Sequence, residues 1–347
     1  MGGTERHLFP GNNTPGGFFS YYKEILPLDK AKRFYCLKGG PGTGKSTLMR
    51  KLGQELQQQG WEVEYLHCSS DSDSLDGVCF PGQGIAVIDG TAPHLTDPVY
   101  PGAVDKIVHL GAFWDEGRIR ARRREITASQ GRISAHFRDA YRYLGAAEKL
   151  YDGLLEEQAP DPNLLHYLAA KIQGEELAHK ELLYRPGEKR QGGRIRNLFL
   201  SAYTPKGLVD FSQELAQQAK TLYCLKAAPG TDCTALFRSV AESALARGCD
   251  VELFYNPLKP DRQVDHLYLP GEGLAIVTVP KEPEKGSRRW QKPMEDLLQR
   301  AIGCLEAAHE EHDTLESFYI DAMDFEKLEE VRKEILQDIC NSAADCI

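Results

Sequence analysis

The sequence predicts an α/β protein built twice over, each copy a parallel sheet carrying a helical appendage. Three observations predict it: an internal repeat, glycine-rich turns set between apolar strands and helices, and two long stretches with helical spacing. Tyr35-Cys36-Leu37-Lys38 recurs as Tyr223-Cys224-Leu225-Lys226, an offset of 188, and residues 35–64 match residues 223–252 at 12 of 30 positions without a gap. After a one-residue insertion, Pro81-Gly82-Gln83-Gly84 returns as Pro270-Gly271-Glu272-Gly273. The apolar runs Ile85-Ala86-Val87-Ile88 and Leu274-Ala275-Ile276-Val277 follow. Upstream, Thr14-Pro15 with Gly17 corresponds to Thr204-Pro205 with Gly207. Three blocks in one order are the mark of a duplication.

The elements follow in chain order. Thr-Pro reads as an N-cap with proline at the first helical position, which predicts helices starting near Thr14 and Thr204. Arg33 to Lys38 and Thr221 to Lys226 are short apolar strands that enter Gly/Pro-rich turns. A helix follows each turn and stops near Gly60 or Gly248, where glycine supplies a left-handed cap. Second strands run from Trp61 to His67 and from Cys249 to Tyr255. After a polar loop, a fully apolar strand ends at Asp89 or Thr278. Strand–helix–strand with continuous apolar runs predicts a parallel sheet. Residues 114 to about 185 place Tyr141, Leu144, Ala147, Leu150 and Leu154 along one helix face, and residues 288–340 repeat the pattern with Leu298, Ile302, Leu305, His309, Leu315 and Tyr319. The expected domains are therefore residues 1–113, a helical appendage and linker over 114–190, a second module over 191–285, and a C-terminal appendage over 286–347. The basic, glycine-containing stretch 185–196 marks the boundary.

Composition narrows the function classes. In 347 residues, 42 Lys and Arg face 51 Asp and Glu, a formal charge of −9, which argues against nucleic-acid binding through net charge. No window approaches the ~18 uninterrupted apolar residues of a membrane span, and no signal-peptide pattern opens the chain. Nine cysteines without CxxC or zinc spacing read as reduced, buried thiols. The expectation is a cytoplasmic protein with no membrane contact.

The chemistry concentrates in Gly39-Gly40-Pro41-Gly42-Thr43-Gly44-Lys45-Ser46, which fits G-x-x-x-x-G-K-[ST] between a strand and a helix. Glycines let successive N–H groups turn inward on phosphate oxygens, and the following helix adds its positive end. Lys45 would neutralise the β- and γ-phosphates, the Ser46 hydroxyl would ligate Mg²⁺, and Thr47 completes the expected binding stretch. Asp89 closes a buried strand where a second Mg²⁺-holding carboxylate belongs. The second copy reads Ala227-Ala228-Pro229-Gly230-Thr231-Asp232-Cys233-Thr234, with Cys233 for Lys45, Asp232 for Gly44 and Thr278 for Asp89. It predicts a pseudo-site. The absence of an N/T-K-x-D run favours ATP over GTP.

The fold class is thus a duplicated P-loop NTPase-type sheet. Gly40-Pro41-Gly42-Thr43-Gly44-Lys45 with Ile88-Asp89-Gly90 and Pro93 is similar to nucleoside monophosphate kinases, with His94 where those enzymes carry a substrate-binding arginine. The whole chain resembles an uncharacterised bacterial family of tandem P-loop proteins, typical of Firmicutes and described as ATPase or nucleotide-kinase-like. The carriers are Leu37 to Ser46, Asp89-Gly90-Thr91-Ala92-Pro93-His94 with Asp97-Pro98, Pro101 to Asp105, and His312-Asp313 with Glu316 and Tyr319. The resemblance implies ATP binding by the first module and names no substrate.

Weaker constellations remain. Asp71, Asp73 and Asp76 follow the second strand; Asp73 could orient the nucleophile, as could His94, against a plain Asx/Ser turn. Arg118, Arg120, Arg122, Arg123 and Arg124 could meet phosphate or nucleic acid, against a salt-bridged surface helix. His309, His312, Asp313 and Glu316 share a helix and could hold a metal, against interhelical packing. The expected activity is Mg²⁺-dependent ATP hydrolysis or phosphoryl transfer in the first module. Lys45, Asp89, Asp73 and His94 act on the nucleotide, and Ser46 and Asp89 on the metal. The alternatives are a non-catalytic ATP-gated switch or docking protein and a small-molecule or nucleotide kinase, with the acceptor, the protein partner and a homodimer left open.

Overall fold

The computed structural model describes residues 2–27, 30–91, 97–180, 193–281 and 288–344. The chain is mixed α/β, 48% helix and 28% strand, with mixed rather than purely parallel sheets. The first half runs β1 (Glu5–Leu8), β2 (Gly11–Thr14), β3 (Gly17–Ser20), β4 (Arg33–Lys38), α1 (Lys45–Gln58), β5 (Val63–His67), β6 (Leu75–Phe80), β7 (Ile85–Asp89) and β8 (Asp105–His109), then α2 (Glu116–Ala121), α3 (Arg123–Glu157) and α4 (Pro162–Ile172). The second runs β9 (Ile195–Leu198), β10 (Ser201–Thr204), β11 (Gly207–Asp210), α5 (Ser212–Gln218), β12 (Thr221–Ala227), α6 (Thr234–Leu245), β13 (Val251–Asn256), β14 (Lys259–Leu269), β15 (Leu274–Pro280), α7 (Arg288–Ile320) and α8 (Phe325–Ala344).

The first sheet is ordered β1-β5-β6-β7-β4-β8 and the second β9-β13-β14-β15-β12. Among the described residues the order repeats strand for strand, with β8 the one addition. The sheets are mixed because β6 and β14 run antiparallel to both neighbours. These two strands lie in what the sequence presents as a polar loop. The helices expected at Thr14 and Thr204 are β-hairpins: β2 pairs with β3 and β10 with β11. Thr14 Oγ1 and Thr204 Oγ1 donate to the carbonyls of Gly17 and Gly207 at 2.6 and 2.9 Å. Those glycines have φ of 108° and 102°, which a side chain resists.

Each sheet is apolar on both faces, which accounts for its unbroken apolar runs. Tyr35, Leu37, Val87 and Phe80 face Leu48, Leu52 and Leu56 of α1. Phe34, Ala86 and Ile88 face the second sheet, against Phe254, Ala275 and Val277. The order of layers is helix, sheet, sheet, helix. The appendages cross over: Leu328, Ile335 and Ile339 of α8 complete the first half's core, while Leu165, Ala169 and Ile172 of α4 complete the second half's, against Leu236 and Val240 of α6. Helices α3 and α7 pack along each other through Ala140, Leu144, Ala147, Ala301 and Leu305.

The halves meet about an approximate two-fold axis. Phe9 and Phe199 exchange backbone hydrogen bonds at 2.9 and 3.1 Å. Beside them Arg6, Glu64, Arg196 and Glu252 form a buried quartet: Arg196 bonds Glu64 at 2.7 Å and Glu252 at 3.0 Å, and Arg6 pairs with Glu252 and, at 3.4 Å, with Glu64. Burial works against the charge of Arg6, but Glu252 and Glu64 outweigh it and raise its pKa. Burial likewise works against the Glu252 carboxylate, yet Arg6 and Arg196 hold its pKa down.

Candidate functional site

Strand β4 ends at Lys38, α1 begins at Lys45, and the glycine-rich loop joins them at one end of the sheet. Because β4 pairs in parallel with β7, with Leu37 opposite Asp89, both strands deliver their C-terminal ends to the same point. There the Lys45 ammonium stands 3.5 Å from the Asp89 carboxylate, the two side chains 11% and 15% exposed. Lys45 Nζ also donates to the Gly39 and Gly40 carbonyls, both at 2.7 Å. Thr43 Oγ1 donates to Gly40 at 2.9 Å.

Sequence reasoning missed Thr91. Its N–H donates to Asp89 Oδ1 at 2.8 Å and its hydroxyl to the Gly39 carbonyl at 2.7 Å, so it ties the carboxylate to the loop. A hydroxyl two residues past a strand-ending Asp is the signal that was there to read.

The loop depends on backbone room. Gly42 and Gly44 take φ of 69° and 79°. Gly44 caps α1 with no side-chain hydrogen bond, so the helix's positive end is left for another acceptor. Ser46 Oγ accepts the Leu75 N–H at 2.9 Å and keeps its own proton and a lone pair. Pro41 is half-buried in the loop, and Thr47 points outward.

The loop is covered from the C-terminal appendage. A Cβ on Gly40 would meet Trp114 and Tyr319, one on Gly42 would meet Glu316 and Ile320, and one on Gly44 would meet Leu328. The Gly42 N–H donates to Glu316 Oε1 at 3.1 Å. On the same helix, ligand atoms of His312, Asp313 and Glu316 lie within 4.8 Å of one another. The sequence placed these residues on one helix but gave no sign that they reach the loop.

Asp73 is not brought to the site. Its side chain is 75% exposed and pairs with Lys206 from the β10–β11 hairpin, which pulls its pKa down. Asp71 accepts from Asp73 N–H and Ser74 Oγ, the Asx turn that was the plainer reading. Asp76 is buried. Burial first, and then Asp76, drive the Tyr22 hydroxyl well above its usual range. His94 lies outside the described residues, as do both expected module ends near 190 and 286.

In the second half, Asp232 Oδ1 accepts the Thr234 N–H at 2.9 Å, at the position of Ser46. Cys233 is buried, which pushes its thiol up to about 11. The Thr278 hydroxyl donates to the Asp265 carbonyl at 2.7 Å.

Much of the arginine cluster is matched locally: Arg118 with Asp115, Arg120 with Glu116, Arg122 with Glu125. Arg118 also donates to the Asp321 carbonyl, and the Arg122 guanidinium lies 5.0 Å over Phe318, so the cluster abuts the end of α7. The cysteines are less buried than expected, Cys224 being exposed. No helix among the described residues is long and apolar enough to cross a membrane.

Compared with known proteins, residues 20–79, which run from the last residue of β3 into β6 and include the loop, match a family model described as Nephrocystin 3, N-terminal. No curated protein and no solved structure matches the chain.

Proposed function

We propose that the first half binds ATP with Mg²⁺ at the glycine loop and turns it over by hydrolysis or phosphoryl transfer, while the second half holds a pseudo-site. The observation that carries this reading is the meeting of Lys45 and Asp89, 3.5 Å apart, at the uncapped start of α1. A cation, a metal-competent carboxylate and free helix-end dipoles converging on one point suit a polyphosphate. The donor set also fits the metal, since Ser46 Oγ and Asp89 are hard oxygens. The metal would supply neutralisation of phosphate charge. Lys45, now spread over two loop carbonyls and Asp89, would turn toward the phosphates, and Thr91 would keep Asp89 aimed at the loop.

The test is phosphate release from Mg²⁺-ATP by the full chain beside Lys45→Ala, together with binding of a fluorescent ATP analogue. Turnover and binding by the wild type, with both lost in Lys45→Ala, support the reading. Equal binding by the two proteins overturns it. Binding without release favours the switch reading, which the cover of α7 over the loop supports, and release that requires an added acceptor favours a kinase.

A further inference from the structure

We propose that Glu316 is an internal anion that plugs the phosphate loop, and that a nucleotide phosphate must displace it together with the last turn of α7. The inference rests on the ATP reading above and adds how that site is controlled. Glu316 Oε1 accepts the Gly42 N–H at 3.1 Å, and the two residues are 274 positions apart. An amide bonded to a carboxylate makes the same charge-assisted contact it would make to a phosphate oxygen. One N–H directed at Glu316 is not available to a phosphate, and two anions at one amide repel. The plug and the phosphate therefore exclude each other.

The second half also sets a carboxylate on a loop amide, at the position of Ser46 and not of Gly42. Asp232 accepts the Thr234 N–H from within its own loop, two residues away. Glu316 comes from another helix and can leave the loop. His312 Nδ1 lies 3.8 Å from its carboxylate and offers a partner on release. The plug is also backed by close contact, since a Cβ at Gly42 would lie 2.8 Å from the Glu316 carbonyl and 3.0 Å from Ile320. Movement there reaches the arginine cluster, because Arg122 lies over Phe318 and Arg118 bonds Asp321 on the same stretch of chain. The loop's state would thereby be reported at an exposed basic surface.

The experiment is a titration of the full-length wild type, Glu316→Ala, Glu316→Gln and Lys45→Ala with a fluorescent ATP analogue in Mg²⁺. Glu316 is 35% exposed at its side chain, so its truncation leaves the core intact. Glu316→Ala is expected to bind about tenfold tighter than wild type, equivalent to roughly 1.4 kcal/mol. Glu316→Gln, which keeps an acceptor oxygen without charge, is expected to fall between. Equal or weaker binding by Glu316→Ala, with binding still lost in Lys45→Ala, overturns the plug and leaves the ATP site standing. No binding by wild type and Glu316→Ala alike, or undiminished binding by Lys45→Ala, removes the ATP reading and the plug with it.

Discussion

On the pseudo-site reading, Asp232 and Thr278 weigh against phosphate at the second loop, as does the missing lysine. The Asp232 carboxylate satisfies the Thr234 amide that Ser46 offers in the first half, and Thr278, in place of Asp89, spends its hydroxyl on a backbone carbonyl. Cys233→Lys should therefore fail to create a second site, as read by the stoichiometry of analogue binding, which should stay at one per chain. Two equivalents bound would show that charge alone was lacking. A second residue-scale prediction concerns His67. Its Nδ1 donates to the Ser72 carbonyl at 2.7 Å, leaving Nε2 to accept from His7 Nδ1–H at 2.8 Å. Burial lowers its pKa from 6.5 to about 4. Below pH 6.5 the unfolded chain takes up a proton that the folded imidazole refuses until about pH 4, so stability is lost as pH falls through that window. The loss is about 1.4 kcal/mol per pH unit. Asp265 works the other way: burial raises its pKa to about 7, so its carboxyl is best accommodated at low pH. Comparing wild type with His67→Gln cancels that contribution. Urea unfolding at pH 7 and pH 5 should show the wild type losing about 2 kcal/mol more than the variant; parallel losses would mean that His67 does not set the acid sensitivity.

At the level of elements, what the sequence disclosed was whatever its local pattern determines. The apolar strands β4, β7 and β15 and the glycine-ended helices α1 and α6 lie within a few residues of their expected bounds, because periodicity and capping are local signals. The Thr-Pro segments misled because threonine and proline serve a hairpin turn as well as a helix start. What decides for the hairpin is contact across the halves: Asn12 and Asn13 donate to the Ser201 and Tyr203 carbonyls at 2.7 and 3.0 Å. Likewise Asp71, Asp73 and Asp76 made β6 itself read as part of a polar loop, and nothing near Glu316 announces a partner 274 residues away. The crossing of the appendages was hidden for the same reason. It carries a prediction: Ile339 in α8 is fully buried against the first half's core, so Ile339→Ala should cost about 2–5 kcal/mol. Hydrogen exchange should locate the loosening in α1 and β4, at the other end of the sequence, whereas loosening confined to α7 would contradict the packing.

Over the whole molecule, the approximate two-fold axis turns one chain into something like a closed dimer, in which each half's surface is satisfied by the other's equivalent surface. The charge quartet on that axis is where this arrangement is most exposed to damage. Arg6 and Arg196 occupy matching positions, as do Glu64 and Glu252, and every member pairs across the junction. Burying four charges is tolerable only because the signs alternate and each carboxylate has two guanidinium partners. Breaking one member strands a charge that is buried with its partners, at sheets whose facing sides form one apolar cluster that includes Phe34, Ile88, Phe254 and Val277. Arg196→Met should cost about 3–5 kcal/mol, most of it from leaving Glu64 and Glu252 underpaired. Adding Glu64→Gln to that variant should recover part of the loss, because it removes the stranded charge rather than restoring a contact. A double variant as unstable as the sum of its parts, measured by urea unfolding, would place the stability of the junction in its apolar packing and not in its charges.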